Sequence, residues 1–321
     1  MSGVKASPES PYPRTFEDFL DWFSTEEDCA DYLAWVRWPD GFVCPACGGA
    51  HAWRTGRALW HCQGCGRQTS VTSGTVFEDS RKPLRLWFHV MWLMMAQKTG
   101  MSAKNLCQTY GFGSYQTAWG WLLKLRGVMV RPGRDLLRGR VEVDEAFVGG
   151  QKKGARGRGA PGKTLVLVAV EGEERQQLGR VRLRCVEAIN WVSVEAFVGD
   201  YVEPEATIVT DGLSVYAGLT AAGFHHHAHV AAANQDAARD QLDHAHLVIS
   251  LLKRWLGSTH QGAVTPSHLQ AYLDEFAFRF NRRLSRHRGN LFYRLVQQAV
   301  TTRPPAVKAL YVHESQPVEV T

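Results

Sequence analysis

Two cysteine pairs have the spacing of metal ligands. Cys44 and Cys47 form one C-x-x-C. Cys62 and Cys65 form a second, with fourteen residues between the pairs, and Gly48 and Gly66 follow the second cysteine of each pair. Four thiolates on two tight turns can close a tetrahedral site with no open position, which predicts one structural Zn2+. His51 and His61 lie nearby, but four cysteines suffice; Cys29, Cys107 and Cys185 stand alone and are expected to fill core positions. A second set is made of carboxylates. Asp144 lies in VEVDEAFVGG, where Val141 and Val143 face one way and Glu142 and Asp144 the other, and Asp211 ends ATIVTDG. Carboxylates on adjacent strands suit a hard divalent cation, Mg2+ or Mn2+. His246 follows Asp211 by thirty-five residues, and Lys253 lies seven further on, two helical turns away on one helix face. The imidazole can close a metal site and the ammonium can touch a phosphate. Asp243, Glu142 and Glu145 are the alternatives for the third ligand.

These side chains need elements to hold them. Residues 1–40 read as helical, with Thr25 before Glu26 and Glu27 as a second helix start. Residues 41–80, rich in Gly, Cys and aromatics, read as short strands and knuckles. Residues 81–130 return to helical spacing, and SAKNLCQTYGFGSYQTAWGWLLKLR fits a helix-turn-helix with Ser102 and Ser114 as caps. In such a pair the second helix offers Tyr115, Gln116 and Thr117 to base edges, while Lys124 and Arg126 neutralise phosphates. Residues 131–300 run three strands, helix, strand, helix, strand, helix, the order of an RNase H-like α/β domain, and 301–321 read as a tail. The whole is an α+β, multidomain chain.

Of its 321 residues, 45% are hydrophobic and 21% charged, as in an ordinary globular protein. No apolar run spans a membrane and no export signal opens the chain, so a cytoplasmic place is expected. The net charge of +6 leans towards a polyanionic partner. Three further motifs carry blander readings. HHHAH, residues 225–229, reads as an edge strand, because consecutive histidines in a strand point to opposite faces. GRGAPGKT, residues 157–164, spells a phosphate-binding loop, but it leads into a strand rather than a helix, so a basic hairpin tip touching DNA is the better reading. FRFNRRLSRHR is either a phosphate-contacting face or a solvated helix end.

Taken together, CPACGG…HCQGCGRQTSVTSGTVFEDSRKPLRLWF, VEVDEAFVGG, TDGLSVYAGL, HAHLVISLLKRWLGSTHQGAV and HLQAYLDEFAFRFNRR resemble the DDE-type transposases of insertion sequences, in the zinc-ribbon, ISXO-like group. The resemblance covers nearly the whole chain. It implies a zinc ribbon, a helical DNA-binding region and an RNase H-like catalytic domain. The implied activity is Mg2+- or Mn2+-dependent cleavage and joining of double-stranded DNA at element ends, by a homodimer or larger assembly. Asp144 and Asp211 match the first two acids, and Lys253 the later basic residue. His246 stands where relatives carry Glu or Asn. The alternative is a non-catalytic zinc-ribbon regulator or a domesticated transposase.

Overall fold

The computed structural model describes residues 5–131, 133–149, 163–173, 177–229, 242–260 and 264–302. They divide into two compact units, one formed by the chain up to Arg131 together with the stretch from Leu284 onward, the other by Pro132–Arg283.

In the first unit, α1 (Phe16–Trp22) and α2 (Glu26–Arg37) each start with a capping box, Thr15 with Asp18 and Thr25 with Asp28. Reciprocal side-chain bonds of this kind satisfy two of the first orphan N–H groups. Strands β1 (Ala52–Arg54), β2 (Trp60–Cys62) and β3 (Gln68–Thr69) form a small antiparallel sheet. Helix α3 (Leu84–Ala96) begins at Pro83, which has no side chain to cap it. Glu26 of α2 does so instead, accepting from the N–H groups of Leu84 (2.6 Å) and Arg85 (3.1 Å). Helices α4 (Ala103–Tyr110) and α5 (Tyr115–Gly127) follow, turned at Gly111, whose φ of +62° suits glycine. The core is aromatic: Phe19, Phe23 and Phe88 pack against Phe292 at ring-centroid distances of 5.5–5.7 Å.

Phe292 belongs to the last helix, Arg288–Thr301. The sequence pattern groups this helix with the domain at 131–300, but it packs on α2 and α3 instead. Gly289 explains the fit, because a Cβ there would lie 1.7 Å from the carbonyl oxygen of Pro13. Only a glycine lets the two backbones meet.

The second unit is a five-stranded sheet between helices. Strands β4 (Arg140–Gly149), β5 (Lys163–Glu173) and β6 (Gln177–Val186) are antiparallel, while β7 (Thr207–Thr210) and β8 (His225–Ala228) run parallel to β4. The strand order is β6-β5-β4-β7-β8. Val141, Val143, Leu167 and Ala169 pack on α6 (Trp191–Tyr201) and a 3-10 helix, Ser214–Leu219. On the opposite face Ala146, Val148, Val166 and Val168 pack on α7 (Asp243–His260) and α8 (Pro266–Phe280). The helix Arg288–Thr301 is therefore α9. The expected order of elements is present with one difference. The helix expected after Asp211 is instead the short 3-10 helix, drawn against α6 by Gly218, where a Cβ would meet the Trp191 ring at 2.7 Å. His225–Ala228 forms the expected edge strand, with His226 Nε2 2.9 Å from the Thr210 hydroxyl. Apart from Lys163 and Thr164, the GRGAPGKT motif lies outside the described residues, as does the tail beyond residue 302.

Candidate functional site

The cysteine site is local. Each knuckle repeats the same bonds: Gly48 N–H donates to Cys44 O and Gly66 N–H to Cys62 O, both at 2.9 Å, with φ +72° at each glycine. The positive φ bends the chain so that both cysteines of a pair turn inward. All four sulfurs lie within 4.8 Å of one another, Cys44 to Cys65 at 3.7 Å and Cys47 to Cys62 at 3.6 Å. Backbone N–H groups of Ala46 and Cys47 aim at the Cys44 sulfur and draw its thiol down to about 6. Four converging thiols, one already biased to thiolate, are positioned to bind one zinc. Trp38, Phe42 and Trp60 pack against Cys44 and Cys62, so the ribbon's core includes the residue that ends α2. Of the lone cysteines, Cys29 fills a core position as expected, while Cys107 and Cys185 are only half-buried.

The carboxylate site is assembled from distant segments. The parallel pairing of β4 with β7 places Glu142 opposite Val209, so Asp144 and Asp211 emerge side by side where the two strands end their pairing. Atoms of Asp144, Glu145 and Asp211 lie within 4.8 Å of one another. Asp144 Oδ1 accepts from Glu145 N–H at 2.7 Å, Asp211 Oδ1 from Leu213 N–H at 3.1 Å, and Glu145 Oε2 from the Tyr216 hydroxyl at 3.0 Å. Burial raises Asp144 to about 6, with the neighbouring charges of Glu145 and Asp211 adding to the rise and His246 opposing it. His246 Nε2 lies 3.5 Å from Asp144 Oδ2, its ring half in solvent. The histidine thus reaches the first acid, and the three-carboxylate group forms without it. Lys253 is exposed on α7, as is His246.

Glu142 and Asp243 do not join this cluster. Glu142 is 3% exposed; its Oε2 accepts from Ala245 N–H at 2.9 Å and its Oε1 lies 3.2 Å from His244 Nδ1. The carboxylate therefore caps the first turn of α7 and fixes that helix start beside β4, two residues from His246. His244 fits only because position 172 is glycine, where a Cβ would come within 2.6 Å of its Nδ1. Nothing local in the sequence marks this clamp, since its partners are a hundred residues apart. Asp243 sits exposed in the same first turn of α7.

Residues 24–68 match the family described as transposase zinc-ribbon domain, and residues 136–281 the ISXO2-like transposase domain. Together these stretches cover more than half of the chain. The chain belongs to the zinc-ribbon, ISXO2-like transposases. A relative described as an uncharacterized protein in transposable element ISH50, from Halobacterium salinarum, is 27% identical over 280 residues, spanning 80% of this chain and 91% of that protein. No helix among the described residues of this transposase-family chain is long and apolar enough to cross a membrane.

The residues expected to meet DNA separate in the structure. Tyr115, Gln116 and Thr117 are exposed at the start of α5, and Lys124 is partly exposed on the same helix. Ser102 caps α4 through Asn105 N–H at 3.1 Å, whereas the Ser114 hydroxyl donates to Gln116 Oε1 at 3.0 Å instead of capping α5. Arg126 does not take the phosphate-contacting role expected of it. It is 1% exposed and its Nη2 donates to Met101 O, so it ties α5 to the chain before α4 and cannot reach a phosphate. The reason is that the second half of α5 is buried nearly all round, and its basic end is drawn in with it. In FRFNRRLSRHR, Arg279 pairs with Glu275, Arg282 stacks on Phe278 at 3.9 Å, and Arg283 donates to Gly179 O. Arg286 and Arg288 are the two arginines of this stretch that stay exposed.

Proposed function

We infer that the protein cuts and joins DNA strands at the ends of an insertion sequence, using its second unit as a divalent-metal-dependent, RNase H-like catalytic domain. The observation that carries this reading is the convergence of Asp144, Glu145 and Asp211 within the stretch that matches the transposase domain. An all-oxygen donor set, one member raised to about 6 chiefly by burial and further by its acidic neighbours, suits Mg2+ or Mn2+. A bound cation would neutralise developing charge on a scissile phosphate and lower the pKa of water or a 3′-hydroxyl. Asp144 and Asp211 are the principal ligands and Glu145 completes the carboxylate set. His246 leans on Asp144 Oδ2 and orients that carboxylate, or joins it as a ligand when the ring turns inward. Lys253, two turns along α7, holds a phosphate of the bound strand as a point charge. The zinc ribbon and the α4–α5 pair bind the duplex, and two ends are processed by a homodimer.

The second reading, a regulator that binds DNA without cutting it, draws on the imidazole at position 246, which brings no negative charge to the site. Strand cleavage and strand transfer on DNA from the element's own ends, with Mg2+ or Mn2+, separate the two. The catalytic reading expects products with the native protein and none with Asp144→Ala or Asp211→Ala, at undiminished DNA binding. DNA binding by the native protein with no product in either metal favours the regulator.

A further inference from the structure

Within the first unit, a cleft of about 540 Å3 opens between α5 and the segment that leads from the zinc ribbon into α3. One wall is the α5 face carrying Gln116, Thr117, Trp121 and Lys124; the other carries Arg81 and Lys82. That second wall is fastened rather than loose. Ser80 Oγ accepts from Trp87 Nε1 at 2.9 Å and from Lys82 N–H at 3.2 Å, so the segment is tied to α3 just before the two cations. The floor is built by Trp87 and Trp121, stacked at a ring-centroid distance of 3.5 Å, with Phe112 edge-on to Trp121 at 5.0 Å. Lys82 lies 5.7 Å from the Phe112 ring centroid, so the aromatic floor and the cationic wall meet.

The charge of this cleft is lopsided. Arg81, Lys82 and Lys124 line it against a single carboxylate, Asp79, and among the described residues no salt bridge occupies any of the three cations. Cations gathered from two segments without acidic partners call for an anionic occupant. The volume lies in the range of a pocket for one small ligand, about 300–1,000 Å3. It takes a nucleotide-sized piece of one strand, not a duplex.

We propose that this cleft seats a single phosphodiester segment of one DNA strand, with Arg81, Lys82 and Lys124 on its phosphates and Gln116 and Thr117 against the adjoining nucleotide. The proposal rests on reading the protein as one that binds DNA, and it adds a second cationic wall outside the helix pair. It also gives the helix pair a register. Phosphates held at Arg81 and Lys82 fix where the start of α5 meets the groove, as backbone contacts do without reading sequence.

The test measures DNA binding by the full-length, zinc-loaded protein without added Mg2+ or Mn2+, so it does not depend on cleavage. The probes are a random-sequence duplex and a duplex from the element's ends. The triple variant Arg81→Ala/Lys82→Ala/Lys124→Ala should lower the slope of log affinity against log salt by about two to three, since each neutralised phosphate contributes about 0.9. Thr117→Trp keeps every charge but fills the cleft, and should weaken binding to both probes at least tenfold. Zinc content and melting temperature equal to the native protein's show that each variant folds. If the triple variant does not fold, Arg81→Ala and Lys124→Ala are read singly, each expected to lower the slope by about one. An unchanged slope overturns the proposal. So does tight binding by Thr117→Trp, because the cations would then act on DNA that does not enter the cleft. A native protein that never cleaves but shows these binding changes leaves the cleft standing while the transposase reading falls.

Discussion

The cysteine site and the carboxylate site solve the same problem at opposite ranges. Cys44 to Cys65 lie within one short stretch, and two glycines at φ +72° aim the sulfurs inward by backbone geometry alone. The carboxylates come from β4 and from the end of β7, and their spacing depends on the pairing of residues sixty-seven positions apart. A zinc bound at the first site would hold a small, weakly cored sheet together. The second is held by a packed sheet and would keep its geometry without metal. Local metal sites stabilise a fold, whereas distant ones draw on it.

Loss of zinc should have the largest effect. Cys47→Ser, or chelation of the zinc, should unfold the ribbon, seen as loss of one zinc per chain by elemental analysis and loss of the Trp60 fluorescence environment. The sheet of the second unit should keep its own melting transition. If both units melted together on zinc removal, the contrast between the two sites would be wrong.

On the carboxylate side, His246→Ala should lower strand cleavage by about 10- to 100-fold, the usual range for a residue that orients a ligand. His246→Glu should retain or raise activity. A loss as complete as that of Asp144→Ala would make the histidine a ligand in its own right.

Burial holds Asp144 up at about 6, so protons compete with the cation, and metal affinity should fall as pH drops through that value. The sign for stability is the reverse of a salt-bridged acid. Between an unfolded value of about 4 and a folded one of about 6, the folded chain binds more protons, so metal-free stability falls as pH rises through the window. Asp144→Asn removes that cost. It should stabilise the metal-free protein by on the order of 2 kcal/mol at pH 7 and much less at pH 4, measured by denaturant titration. Equal gains at both pH values would show that Asp144 titrates normally. The smallest expected effect is at the exposed Lys253. Lys253→Ala should weaken DNA binding by about tenfold at most and lower the salt slope by about one, the signature of a single phosphate contact.

The difference in range also decides what could be read from the sequence. The zinc knuckles are legible because all their determinants are neighbours in the chain. Asp144 and Asp211 are legible because strand patterns flank them, and the order of strands and helices in the second unit follows from the same periodicity. Glu145 is harder to see. Strand alternation turns it away from Asp144, and the Tyr216 hydroxyl that positions it lies seventy-one residues on. The cap that Glu142 places on α7 involves partners a hundred and three residues apart, and the return of α9 to the N-terminal unit turns on Gly289 meeting Pro13. Arg126 looks like a surface cation beside Lys124, and only the packing around α5 shows it buried.

The proposed chemistry depends on one divalent cation shared by Asp144 and Asp211 in the second unit. Mn2+ binding to the zinc-loaded protein, followed by the paramagnetic signal of the free ion, tests this most directly. The native protein is expected to bind Mn2+ saturably, and Asp144→Asn/Asp211→Asn to lose that binding while the zinc stays in place. Equal Mn2+ affinity in the native protein and the double variant would contradict it.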